Sequence, residues 1–300
     1  MLAPFPERNK LNVSEPLARE LLRAAERLPL YDNKEFYSTD LQQFVLDSIR
    51  SSNTDAFDEF IQSIRERLAQ RPYCALISGL HFDHGNKLFV AINRAFGDLV
   101  ARPYEKPRAQ LVHYIQPQTD LPSARGGRES ERLHTDTADW ETPVELISMI
   151  CVNADTAGGG RSQILDVDTA RTEVSEHLGD DTLELLETKP VPWQLAPYHG
   201  GGVKWRNVLT ENTLCWRRYT INLALSDEGA TLSDETTRAL DGFEQVVTNT
   251  RQKVDFLMNE GELLFSDNTR TIHARTPLAD PATSNRLMIR SWIRTSKNGG

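Results

Sequence analysis

His134 and Asp136 lie two residues apart in the segment Arg132-Leu133-His134-Thr135-Asp136-Thr137. On a strand, successive side chains alternate faces, so an imidazole and a carboxylate at this spacing point the same way and can close on one small object. With a distant second histidine they would form the two-histidine, one-carboxylate set that holds Fe(II) and leaves positions open for chemistry. A surface strand can also carry His-x-Asp by chance, so the pair gains meaning only from the rest of the chain.

Seven histidines are present, and the second ligand has to be argued from their surroundings. His81 and His84 flank a turn, His177 ends a polar helix, and His199 lies in a loop rich in glycine and proline. His113, on a strand, is a candidate pocket residue. His273 is the best second ligand, because it follows the turn Ser266-Asp267-Asn268-Thr269 and opens a strand. Farther on, alternation in Asn285–Ile293 puts Leu287, Ile289 and Ile293 on one face and Arg286, Met288, Arg290 and Trp292 on the other. Arginine is seldom buried without a partner, and its fork suits bidentate recognition of carboxylates. Alone, the two arginines could reach solvent from an edge strand. Beside His134, Asp136 and His273 they suggest a metal with two carboxylate clamps.

The elements that must position these residues follow from periodicity. Helical spacing marks Leu17 to Leu28 after Ser14, about Asp40 to Ile49, Thr54 to Leu68, and Gly85 to Val100. Tyr73–Ile77 reads as a buried strand. Ala109–Gln116 is a strand candidate, followed by a connection from Pro117 to Gly127. Val144–Asn153 is apolar on both faces, as in a strand buried on both sides. The Gly158-Gly159-Gly160 turn ends it, and a strand resumes over Arg161–Val167. Asp168 is expected to cap a helix to His177, and another helix covers Asp181–Glu187. Pro190–Arg206 is expected to be an irregular lid or binding loop, and Tyr219–Leu225 a strand. Ser233 is expected to cap the longest helix, running to about residue 259. Strands over Glu262–Phe265, Thr271–Arg275 and Arg286–Arg294 close the chain.

The 300 residues, 39% of them hydrophobic, suit one large domain, and no run approaches a membrane span of ~20 apolar residues. The first eight residues lack the pattern of a secretory signal. Cys74, Cys151 and Cys215 have no metal-type spacing, as expected of free thiols in a reducing cytosol. The net charge of -9 argues against nucleic acid as a partner. The expectation is a cytoplasmic protein with no membrane partner.

The sequence resembles the Fe(II)/2-oxoglutarate-dependent oxygenases of the taurine dioxygenase and clavaminate synthase type. The resemblance rests on His134-Thr135-Asp136, the Gly158-Gly159-Gly160-Arg161-Ser162 turn, and His273-Ala274-Arg275 followed by Arg286 and Arg290; it spans about Leu111 to Ile293. It implies an α+β fold with a double-stranded β-helix (jelly-roll, cupin-like) core, a helical N-terminal region and a helical insertion. Residues 1–300 would then be one domain: 1–108 a mainly helical cover, and 109–300 the core, with a lid over 190–206 and a helix over 233–259. It implies Fe(II) on His134, Asp136 and His273, 2-oxoglutarate on Arg286 and Ser162, O2 as co-substrate, and Arg290 as the substrate's carboxylate clamp.

Hydroxylation is the default outcome, while desaturation, ring closure and epimerisation use the same site. The presence of Asp136 argues against halogenation, for which relatives replace the metal carboxylate with a small residue. Asp139 and Trp140 are candidates for a substrate amine and its aliphatic portion, with Gln116 and His113 as further substrate contacts. The expected substrate is a small anionic or zwitterionic molecule, such as an amino acid or derivative from a biosynthetic pathway. A rival of another class is a non-catalytic metal-binding β-sandwich, which leaves Arg286, Arg290 and Ser162 without a purpose.

Overall fold

A computed structural model of the chain describes residues 2–101, 111–117, 131–155, 159–280 and 282–295. The expected start of the Ala109 strand, most of the 117–127 connection and Gly158 lie outside these residues. In chain order come β1 (Lys10–Asn12), α1 (Glu15–Arg27), α2 (Thr39–Arg50), α3 (Thr54–Leu68), β2 (Cys74–Ser78), α4 (Lys87–Arg94), β3 (Gly97–Val100) and β4 (His113–Ile115). Then follow β5 (Leu146–Asn153), β6 (Ser162–Asp166), α5 (Val167–Leu178), α6 (Asp180–Thr188), β7 (Val191–Gln194), β8 (Val203–Arg206), α7 (Arg218–Asp227) and α8 (Asp234–Asn249). The last strands are β9 (Val254–Phe256), β10 (Leu263–Asp267), β11 (Thr271–Arg275) and β12 (Leu287–Thr295).

Among the described residues the large sheet runs β1-β2-β10-β5-β12-β3, with β4 also paired to β12. A smaller sheet runs β11-β6-β9, and β7-β8 form a two-stranded ribbon. Strand alternation decides how these stack. Ala75 and Ile77 of β2, Leu263 and Phe265 of β10, and Ile289 and Ile293 of β12 face a core shared with α1–α4. Their alternates Cys74, Leu76, Leu264 and Met288 pack against Ile164, Val254 and Phe256 of the small sheet. Leu165, Ile272 and Ala274 then face α5, α7 and α8. The order is therefore helices, large sheet, small sheet, helices. Along β12 the inward face passes from Met288 to Arg290 and Trp292, so polar groups replace apolar packing at one end of the inter-sheet layer.

Several elements differ from the sequence expectation. The helix expected to run to Val100 stops at Arg94, and Gly97–Val100 pairs with β12. At Gly97 a Cβ would collide with the Arg294 carbonyl, so glycine lets the backbones approach. Tyr219–Leu225 is part of α7, not a strand: its β-branched and aromatic residues suggested one, but burial of Thr220, Ile221 and Ala224 has helical spacing. The helix after Ser233 ends at Asn249, because Val254 and Phe256 alternate inward as β9. Residues 190–206 are not irregular; they form the β7-β8 ribbon, anchored by the buried Trp193, with a short 3-10 turn at its tip. Asp166, rather than Asp168, caps α5 by accepting from the Thr169 N–H. Ser233 caps α8 as expected, whereas Ser14 makes no side-chain cap at α1.

Candidate metal centre

His134 and His273 meet as backbone neighbours. The His134 N–H donates to the His273 carbonyl at 3.0 Å and the His273 N–H to the His134 carbonyl at 2.9 Å. Paired residues share a face, which brings their rings to 4.5 Å between centroids. The His134 Nδ1 lies 2.8 Å from the Arg132 carbonyl, which can only accept, so the proton sits on Nδ1 and the Nε2 lone pair is available. Asp136 Oδ1 is 3.5 Å from His134 Nε2 and 3.8 Å from His273 Nε2. The three ligand atoms all lie within 4.8 Å of one another.

The surroundings set the charge states this donor set needs. Burial favours a neutral Asp136, but Arg290 and the two imidazoles outweigh it and hold the carboxyl well below its usual range. Burial, reinforced by His134 and opposed by Asp136, pushes His273 down to about 3, which leaves a neutral imidazole at physiological pH. A neutral His273, the Nε2 of His134 and one ionised carboxylate on one face suit Fe(II).

Asp136 is held from two sides. Its Oδ2 accepts from Arg290 Nη1 and from the Trp292 indole N–H, both at 2.8 Å. Its backbone is clasped by the wholly buried Asn268, which accepts the Asp136 N–H at 3.0 Å and donates to the Asp136 carbonyl at 3.1 Å and the Val144 carbonyl at 2.8 Å. The next residue, Thr137, has φ +56°, unfavourable for a β-branched side chain; its hydroxyl accepts the Val144 N–H at 2.9 Å. Strain of this sort marks a backbone over-determined by its surroundings.

The other sequence candidates fall as follows. Arg286 is buried, just before β12, and its guanidinium makes no hydrogen bond among the described residues. Burial and the neighbouring Arg275, partly offset by Cys151 and Asp155, push it down to about 10, so it stays cationic. Ser162 pairs with Arg275 on the β11 face that carries His273. Gly160 (φ +69°) packs against Arg286, where a Cβ would stand 2.9 Å from its Nε. Arg290, expected as a substrate clamp, donates from Nη1 to the metal carboxylate. Trp140 is core: it is buried, 5.5 Å from the Trp292 ring, and its indole N–H donates to the Tyr198 hydroxyl at 3.3 Å. That hydroxyl donates in turn to half-buried Asp139 at 3.5 Å. His113 is buried edge-on to Trp292 at 4.8 Å and lies opposite Arg290. Gln116 is exposed; the alternation that turns His113 inward turns Gln116 outward with Tyr114.

Sequence reasoning missed Asn268, Trp292, Arg275 and Tyr198. Arg275 was legible, since it stands two residues beyond His273 on the same strand face. Asn268 and Tyr198 carry no local signal, because their partners come from remote segments.

Two imidazoles and a carboxylate on one face, with a buried cation nearby, define a mononuclear non-haem metal site. Residues 39–292 match the taurine catabolism dioxygenase TauD, TfdA family, and the chain belongs to it. It is a 2-oxoglutarate-dependent non-haem iron dioxygenase, using Fe(II), 2-oxoglutarate and O2. No curated protein matches it in sequence. Asparagine oxygenase, solved with Fe(II), 2S,3S-3-hydroxyasparagine and succinate, is similar in structure: TM-score 0.75, 15% identity, covering 96% of this chain and 94% of that one. The non-heme iron oxygenase OrfP, solved with Fe and alpha-ketoglutaric acid, has a TM-score of 0.71 at 15% identity, with the same coverage of 96% and 94%. A taurine dioxygenase from Burkholderia xenovorans has a TM-score of 0.57 at 16% identity, covering 79% of this chain and 82% of that one.

Proposed function

We propose that the chain hydroxylates an unactivated C–H bond of a small amino acid or amino-acid derivative. One observation carries the reading: three ligand atoms from two remote segments converge within 4.8 Å; the buried Arg286, whose guanidinium makes no hydrogen bond among the described residues, supports it. Support for an amino-acid substrate comes from the structural neighbours, solved with hydroxyasparagine and with hydroxy-arginine. We read the facing sheets as a double-stranded β-helix core within a single domain, covered by the N-terminal helices.

When bound, Fe(II) with 2-oxoglutarate and O2 would supply the oxidising chemistry, with succinate and CO2 as the co-products. The chain's own residues prepare the site. His134, Asp136 and His273 offer one lone pair each, and Arg290 with Trp292 occupies Oδ2, leaving Oδ1 toward the histidines. Arg286, helped by Ser162, receives the distal carboxylate of 2-oxoglutarate in a place where its charge is poorly solvated and so strongly felt. The ribbon tip at Tyr198 covers Asp139 and helps exclude water. Asp139 receives the substrate ammonium by exchanging the Tyr198 hydroxyl for it.

The test is anaerobic titration with Fe(II) and 2-oxoglutarate, following the visible charge-transfer band, and then succinate formation across the L-amino acids. The reading expects the band in the native protein, its loss in His273→Ala, and succinate with at least one amino acid. No band, or none of the amino acids turned over, refutes it.

A further inference from the structure

The β7-β8 ribbon and the segment that follows the metal carboxylate are fastened together at three successive carbonyls. Arg206, the last residue of β8, reaches across with its guanidinium. Its Nη2 donates to the Ala138 carbonyl at 3.0 Å and to the Trp140 carbonyl at 2.9 Å. The carbonyl between them, that of Asp139, accepts the N–H of Ala196 at 2.8 Å, just beyond β7. Two residues before Arg206, Lys204 pairs with Glu141. The backbone on both sides of Asp139 therefore takes its place from the ribbon, a few residues beyond the metal ligand Asp136.

Arg206 is itself held in place. Its guanidinium lies over the Trp193 ring, 5.1 Å from the centroid, and the Trp193 indole N–H donates to the Arg206 carbonyl at 3.2 Å. Trp193 is wholly buried, so this platform belongs to the core behind the small sheet. Ala138 and Trp140 are buried as well, which leaves little water to compete for their carbonyls. Bonds from a cation to such acceptors are stronger than neutral ones. The Asp139 carboxylate, half-buried, meets the Tyr198 hydroxyl at the tip of the same ribbon. Main chain and side chain of Asp139 are thus both referred to one element, and the bonds of Arg206 fall on the two peptide units that flank it.

We propose that Arg206 is a positioning residue for Asp139, through which the ribbon sets the selectivity for a substrate that carries an ammonium group. The inference rests on the reading of Asp139 as the ammonium's partner. A charge pair in a partly desolvated site weakens with distance, so releasing the two carbonyls costs the ammonium contact more than any other contact of the substrate.

The test uses the anaerobic protein loaded with Fe(II) and 2-oxoglutarate. It is titrated with whichever of the common L-amino acids perturbs the charge-transfer band at the lowest concentration, and with the carboxylic acid that lacks its amino group. The native protein is expected to bind the amino acid roughly tenfold to a hundredfold more tightly than the desamino acid. Arg206→Met keeps most of the volume and none of the donors. It should cut that ratio to about threefold or less by weakening the amino acid, with the Kd values of the desamino acid and of 2-oxoglutarate within about twofold of native. Arg206→Lys keeps a cation but not the flat face that stacks on Trp193, and should fall between. A native ratio in Arg206→Met, or a desamino acid weakened as much as the amino acid, overturns the inference and leaves Asp139 in its role. Should Arg206→Met not fold, Arg206→Lys decides alone: an intermediate ratio supports the inference and a native ratio overturns it. Equal binding of the two ligands by the native protein, or a band that responds to no amino acid, overturns the reading of Asp139 as well.

Discussion

Replacing Asn268 with alanine removes the clasp on the metal carboxylate's backbone. The three bonds it loses leave the Asp136 N–H and the carbonyls of Asp136 and Val144 without this partner in a fully buried site. At about 1–3 kcal/mol for a buried group left unpaired, weighted toward the low end because carbonyls carry a second lone pair, the sum is about 3–5 kcal/mol. A stability of roughly 5–15 kcal/mol makes that a large fraction. The loss can be assigned to hydrogen bonding by comparison with Asn268→Leu, which restores most of the volume but none of the bonds and should fall equally far. Asn268→Asp keeps the acceptor for the Asp136 N–H but sets a carboxylate against two carbonyls, so it should not recover. Urea unfolding of the metal-free protein followed by circular dichroism measures the stability, and competition with a chelator measures Fe(II) affinity. Affinity should fall roughly tenfold to a hundredfold, as for other groups that orient metal ligands. Asn268→Ala unfolding within 1 kcal/mol of the native protein, with unchanged Fe(II) affinity, would refute the reasoning.

Three further outcomes follow from the same geometry. Arg286→Ala should raise the Kd for 2-oxoglutarate roughly tenfold to a hundredfold while leaving Fe(II) binding intact, with Arg286→Lys intermediate, as read from the charge-transfer band. Gly160→Ala forces a left-handed alanine, about 1–2 kcal/mol, and drives its Cβ against Arg286; a lower Tm and a severalfold weaker 2-oxoglutarate affinity are expected together, and one without the other counts against the contact. Tyr198→Phe removes the hydroxyl that meets Asp139 and Trp140; steady-state kinetics should show KM for the amino-acid substrate changing more than kcat, with Tm little affected because the tip is half-exposed.

Much of the fold was legible because amphipathic periodicity is a local signal. α1, α2 and α3 fall within about two residues of their apolar stripes, and β11 was read at its observed limits. The failures share a cause, which is that the deciding partner is remote. Residues 219–225 have strand-like composition but fold as α7 against the ribbon and the second core. The helical stripe continuing through Val254 is coincidental, since β6 supplies a strand partner there. Residues 190–206 look irregular because Pro192 and the glycines obscure alternation, yet Val191 and Trp193 are buried and their pairing with β8 closes a ribbon.

At the site, spacing told which face a side chain takes but not which group it meets there. That is why His134, Asp136 and His273 could be named from the sequence, while the bond from Arg290 to the metal carboxylate could not. The charges now fit together in a way that spacing alone could not reveal. Arg290 meets Asp136 and Arg275 meets Glu131, while Arg286 feels Arg275 on one side and Asp155 on the other. The chain around them carries a net charge of -9. That background repels anions only weakly, because solvent ions screen it over about 8 Å, so the charges at the site govern what binds. On the proposed assignment, a 2-oxoglutarate dianion would meet Arg286 and a substrate ammonium would meet Asp139. If Asp139 receives an ammonium, a simple monocarboxylate leaves it uncompensated and should bind less tightly than the amino acid that carries both charges, and equal Kd values for the two in titrations of the charge-transfer band would remove Asp139 from the substrate's contacts.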